Sequence, residues 1–239
     1  MKAVVVGLLL GFLLSGCVAV EVPTGTPSDR PPPSQGQERS GGDGYTFMHT
    51  RDNGQPVRWS TCDPIRYVAR PANEPVGARQ LLRSSVRRVA EVTGLTFSFE
   101  GTTDEAPSVD RRPEHPNRYG DGWSPVLVAY SGPEEYPALK GRTAGHAGPV
   151  YLQAGGAPRY VSGIVVLDAE QLRSMDDRAV RAVMLHELAH VVGLGHVEDR
   201  GQLMNAVQYG REVLSLQSGD LAGLRALGRG RCYEPVTPR

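Results

Sequence analysis

The stretch from His186 to His196 reads H-E-L-A-H-V-V-G-L-G-H and limits what the chain around it can fold into. Val183, Met184, Leu188 and Val191 recur with helical spacing, so the stretch begins as a helix with a core face. His186 and His190 then lie one turn apart on one side, since residues at i and i+4 share a face. Two imidazoles so placed can hold one Zn²⁺, with Glu187 beside them as a general base. His196 cannot join them on an unbroken helix, because six residues on from His190 it would point roughly 240° round the axis. The helix has to end first. Gly193 is the residue that can end it, since glycine takes the left-handed C-cap conformation without steric cost. Three neutral histidines leave one tetrahedral position for water, as in catalytic rather than structural zinc sites.

A bare H-E-x-x-H recurs by chance in about one chain in a hundred of this length. The glycine and third histidine at fixed offsets lower that by roughly two to three orders of magnitude. The full pattern resembles the metzincin zinc-peptidase signature, in which a methionine turn follows the third histidine. Met204, in Gln202-Leu203-Met204-Asn205, stands where that turn belongs, at a spacing from His196 similar to that of the matrixin branch. The resemblance implies that Met204 lies beneath the metal and supports its ligands without coordinating. Some branches add a tyrosine two residues after the methionine. Here that position is Ala206, and Tyr209 is off register. Val197, after the third histidine, matches no branch in particular.

The chain opens with Lys2 and an apolar run over residues 3–14, which reads as a targeting segment. Leu14-Ser15-Gly16-Cys17 resembles the lipobox of bacterial lipoproteins, in which the cysteine is lipidated and becomes the new N-terminus. Residues 1–16 are then a signal peptide and residues 17–44 a tether rich in Pro, Gly, Ser and Thr that cannot bury enough surface to order itself. An uncleaved membrane anchor is the alternative reading of the apolar run. Either places the domain outside the cytoplasm. Residues 45–239 remain for one domain, and the matrixin inhibitory cysteine motif is absent from the tether. Cys62 and Cys232 are left after Cys17 is assigned, and in an oxidising compartment they suggest one disulfide. A free Cys62 thiolate reaching the zinc as a switch is the alternative.

Local patterning gives strands at residues 65–69, 95–99, 126–130 and 164–167. A helix over residues 78–92 carries Leu82, Val86 and Val89 on one face and stops at Gly94. Asp176 is placed to cap the motif helix, and Ser218 to cap a last helix with Leu221, Leu224 and Leu227 inward and Gly228 after it. The order resembles the α+β metzincin catalytic domain over nearly all of residues 57–228. That fold has a mixed twisted sheet above the active-site helix, a Met-turn and a C-terminal helix. Ala144, Gly145 and His146 resemble the family's substrate-binding edge strand, whose open edge receives an extended peptide by β-augmentation. A histidine near His146 binds a second, structural zinc in matrixins. Residues 160–168 hold none of its partner histidines, so His146 reads as a surface or loop residue, as do His49 and His115. Calcium is a possible further cofactor, since Asp168 and Glu170 follow the last strand as in matrixins, but two carboxylates alone do not supply six to eight oxygens.

The sequence therefore points to a zinc-dependent endopeptidase acting on extracytoplasmic proteins or peptides. It would be a monomer held at the membrane through lipidated Cys17. A zinc hydrolase of another cell-envelope amide, or a catalytically silent tethered binding module, are the competing classes. Acidic and basic residues balance at 26 each and the arginines are scattered among acids, so no nucleic-acid partner is implied.

Overall fold

The computed structural model describes residues 44–153, 157–206 and 213–233. The proposed signal peptide, nearly all of the tether with Cys17, and Tyr209 lie outside the described residues. Among the described residues no helix is long and apolar enough to cross a membrane.

Five strands form one sheet. They are β2 (Ile65–Arg70), β3 (Phe97–Thr102), β4 (Val126–Ser131), β5 (Gly145–Leu152) and β6 (Arg159–Asp168), in the spatial order β3-β2-β4-β6-β5. The first four neighbours run parallel, and β5 closes the series antiparallel to β6. This is the mixed sheet of an α+β fold. Strand β4 is buried along its whole length because both its faces are covered. Val126, Val128 and Tyr130 pack into the large core beneath, with Val86 and Val89 of α1 (Ala78–Thr93) and Met184, Leu185 and Leu188 of α4 (Asp177–Val192). Leu127 and Ala129 face the other way, against Val68, Tyr119 and Ile164. That alternation is the period-2 pleat of a strand with helices on one side and a loop on the other.

The covering loop is fixed by ion pairing. It holds a single helical turn, α2 (Pro116–Tyr119), within what the sequence presents as a polar loop. Arg111 grips both Glu105 oxygens at 2.8 and 3.1 Å and also donates to the Gly163 and Pro125 carbonyls. Tyr119 donates to the same carboxylate at 2.6 Å. Burial opposes ionisation of Glu105, but the hydrogen bonds from Arg111 and Tyr119 outweigh it and hold the carboxyl below its usual range.

Several boundaries differ from those read in the sequence. Strand β3 starts at Phe97, not Leu95, because Leu95 turns into the core after its N–H is taken by Thr93 Oγ1. Strand β5 starts at Gly145, so Ala144 stands just before it. The last helix, α5 (Ser218–Gly228), is capped by Gln217, not Ser218, and contains Gly228. A two-residue strand, β1 (Thr46–Phe47), pairs antiparallel with β7 (Leu194–Gly195) and has no periodicity by which a sequence could reveal it. Helix α1 ends at Gly94, and Asp176 caps α4 through Ala179 N at 2.8 Å, both as expected. Helix α3 (Ala169–Arg173) is capped by Asp168.

Cutting the Arg111 end of its buried pair leaves Glu105 uncompensated. Arg111→Ala should therefore lose about 3–5 kcal/mol in chemical denaturation. Because Glu105 is depressed in the folded state, its contribution should be complete at neutral pH. It should fade as pH falls below the ordinary carboxyl range, and the loss should be absent in the variant.

Candidate metal centre

Helix α4 sets His186 and His190 one turn apart, as the i, i+4 spacing requires. Gly193 then ends the helix at φ 116°, and its N–H closes onto the Ala189 and His190 carbonyls. A side chain there would be strained, and its Cβ would lie 2.7 Å from the Tyr160 ring. The chain reverses into β7, where the pairing with β1 holds it. Met48 N donates to Gly193 O at 2.8 Å, and Thr46 Oγ1 donates to His196 O at 2.6 Å. This brings His196 back to the helix.

The three Nε2 atoms converge. His186 and His190 are 3.0 Å apart there, and each is 3.1 Å from His196. The other ring nitrogens decide what these contacts mean. His186 Nδ1 lies 2.8 Å from Leu203 O, and His190 Nδ1 lies 2.7 Å from Leu194 O. A carbonyl only accepts, so both Nδ1 atoms carry the proton and both Nε2 atoms present lone pairs. Burial pushes the His186 pKa down to about 4 and that of His190 well below its ordinary value, so both rings are neutral near pH 7. Lone pairs facing each other at this distance repel unless a cation sits among them. Zn²⁺ with bonds of about 2.0–2.1 Å has ligand edges of roughly 3.3 Å, close to the triangle seen here, and the donor set fits it.

Glu187 follows His186 and is only 6% exposed. Burial pushes its carboxyl up to about 8. The carboxylate packs against β5. A Cβ built on Gly145 would meet Glu187 Oε1 at 2.6 Å, so the bare backbone at Gly145 makes the room that the glutamate occupies. Among the described residues β5 is last in the sheet, and its outer edge has no partner strand.

Residues 138–228 match the family model described as Matrixin. The domain is matrixin-like. The matched span runs from just before β5 to the end of α5 and takes in the triad and Met204, while β1 to β4 precede it. A search of curated proteins finds no match. Family match and triad together suggest a zinc metallopeptidase.

The matrixin-like turn at Met204 is fastened to α5 in both directions. Met204 is buried, and its carbonyl accepts Val197 N at 3.0 Å, next to the third histidine. Asp220, fully buried, accepts from Leu203 N at 2.8 Å, Met204 N at 3.2 Å and Gln217 N at 2.7 Å. Gln202 Oε1 returns the favour, accepting from Gly219 N and Asp220 N at the helix start. Burial raises the Asp220 carboxyl pKa, and the three amide donors oppose it. Leu203 thus ties Asp220 on its N–H side to His186 on its carbonyl side. Asp220 escaped the sequence reading. Its one local signal is its place at the third position of a helix, where a carboxylate can reach back to the cap.

His146 accepts or donates with Tyr136 Oη at 2.9 Å through Nδ1. Among the described residues, the triad is the one group of three or more His, Cys, Asp or Glu side chains that converges. Asp168 is engaged in capping, accepting from Glu170 N, Gln171 N and Gln171 Nε2. Cys62 and Cys232 are joined, with Cα atoms 5.0 Å apart, so Cys62 holds no thiol with which to reach the metal.

Asp220→Ala leaves the three histidines in place but frees the Leu203 peptide that orients one of them. Chelator competition should show zinc affinity falling about 10- to 100-fold, the usual cost of losing an outer-shell partner.

Proposed function

We propose that this matrixin-like domain is a zinc-dependent endopeptidase that hydrolyses protein or peptide substrates outside the cytoplasm. The convergence of three imidazole Nε2 atoms, two of them held as lone pairs, beside a buried glutamate carries the reading. His186, His190 and His196 would hold the metal. When bound, zinc supplies Lewis acidity toward the scissile carbonyl and the attacking water. Glu187 takes the water proton and passes it to the leaving amine. Its apolar setting against β5 favours that role, since a carboxyl whose pKa lies near neutrality can both accept and return a proton. The outer edge of β5 offers backbone groups to an extended peptide, which would add as a further strand beside Glu187. Proteins and peptides, which present extended backbone, suit such an edge.

Two features support a location outside the cytoplasm. The Cys62–Cys232 bond persists where the compartment is oxidising. Leu14-Ser15-Gly16-Cys17 after an apolar run resembles a site of lipidation, which would anchor the domain to a bacterial membrane.

The full chain, purified in detergent, should cleave denatured protein, lose that activity to a zinc chelator and regain it with added zinc. Glu187→Gln should keep zinc and lose at least about 10²-fold in kcat, because an amide cannot accept the proton. Turnover of peptidoglycan without cleavage of any protein would overturn the peptidase reading. Cys17→Ser should leave an unlipidated precursor in metabolic labelling with fatty acid; equal acylation would remove Cys17 as the site.

A further inference from the structure

Where the C-terminal tail returns to the domain, a cavity of about 230 Å³ is lined by Arg51, Arg58, Arg229 and Arg231, with Tyr233 on its wall. Asn53 and Gln55 also line it, and among the described residues no Asp or Glu does. The chain as a whole is neutral, so this is a local concentration of charge. Elsewhere Arg66, Arg70, Arg79 and Arg111 each have a carboxylate partner. Among the described residues none of the four cavity arginines does.

Neutral groups hold the two inner arginines in position. Arg51 donates to Tyr233 Oη at 2.6 Å and to Pro158 O at 3.2 Å. Its Nε is buried and has no hydrogen-bond partner. Arg58 Nε donates to Ala226 O at 3.1 Å. Burial lowers the Arg58 pKa, Tyr233 offsets part of that, and the Arg51 charge lowers it further. The outer pair comes from the tail. Arg231 and Tyr233 flank Cys232, whose bond to Cys62 pins the tail to residues 60–62. Thr61 N donates to Arg231 O at 3.0 Å, and Tyr233 N donates to Ser60 Oγ at 3.4 Å.

We propose that this cavity binds a tetrahedral phosphate-type oxyanion through Arg51, Arg58, Arg229 and Arg231, and that the Cys62–Cys232 bond assembles it. Guanidinium groups present paired donors that match such an anion, and a phosphoryl group brings more charge than one carboxylate. The volume is below that of a drug-sized pocket, so it takes one phosphoryl group with a small substituent, not a polymer. A phospholipid headgroup and a small soluble phosphate ester share this chemistry. Nothing in the proposal depends on the zinc triad.

The test is calorimetric titration of the full chain in detergent with sodium phosphate, against sodium chloride at matched ionic strength. Saturable binding is expected. R229E/R231E changes two exposed side chains away from the triad and should weaken it at least about tenfold, as should reduction of the disulfide. Should that variant fail to fold by circular dichroism, Arg231→Gln alone is read in its place. Sedimentation with phosphatidylcholine vesicles, with and without phosphatidylglycerol, separates the sources. Extra binding to phosphatidylglycerol that the variant loses and phosphate competes away identifies a headgroup. Phosphate binding with no such excess identifies a soluble ester. The absence of saturable phosphate binding, or undiminished affinity in the folded variant, overturns the site. Unchanged affinity after reduction overturns the part given to the disulfide.

Discussion

Two backbone carbonyls determine what the three histidines can be. Leu203 O and Leu194 O fix a proton on the outer nitrogen of His186 and His190, which turns two lone pairs toward the same point. A cluster so arranged is unfavourable without a positive ion in it. Much of the domain serves to bring those two oxygens to their places. The Leu194 carbonyl arrives because Gly193 turns the chain back over the end of α4. The Leu203 carbonyl arrives because Asp220, reaching from α5, holds the N–H groups of Leu203 and Met204 on either side of it.

The loops around the histidine triad are consequently tied to both ends of the domain. Strand β1, the first element among the described residues, pairs with the residues just before His196. Helix α5, the last, is interlocked with the turn at Met204 through Gln202 and Asp220. Neither end can detach without loosening a histidine of the triad. The sheet contributes differently: it places β5 so that Gly145 lies on Glu187, which puts the proposed proton carrier under the strand proposed to receive substrate.

What the sequence disclosed and what it hid divide along the range of the interactions. The histidine spacing, the break at Gly193 and the cap at Asp176 are set within one or two helical turns, so they could be read directly. The buried runs of β4 and β6 announced themselves by continuous apolar residues. Strand β1 has two residues and exists only because Gly195 and Leu194 lie opposite it. The capping misassignment at Ser218 has the same origin, since the helix start is fixed by Gln202, which approaches from the neighbouring turn. Asp220 looked like an ordinary first-turn carboxylate, and its burial and three amide donors arise from contacts no local pattern encodes. The clustering of Arg51, Arg58, Arg229 and Arg231 was invisible for the same reason, as the four sit at opposite ends of the chain.

The bond between Cys62 and Cys232 spans 170 residues and encloses nearly every element, including the exposed segment around Val109. A domain with the proposed endopeptidase activity would be exposed to cleavage by its own kind. A single nick in any loop between those cysteines yields two fragments that remain one covalent molecule, with sheet, triad and turn still packed together. Such damage would register as a second band only under reducing conditions, and the proposed activity would outlast the cut.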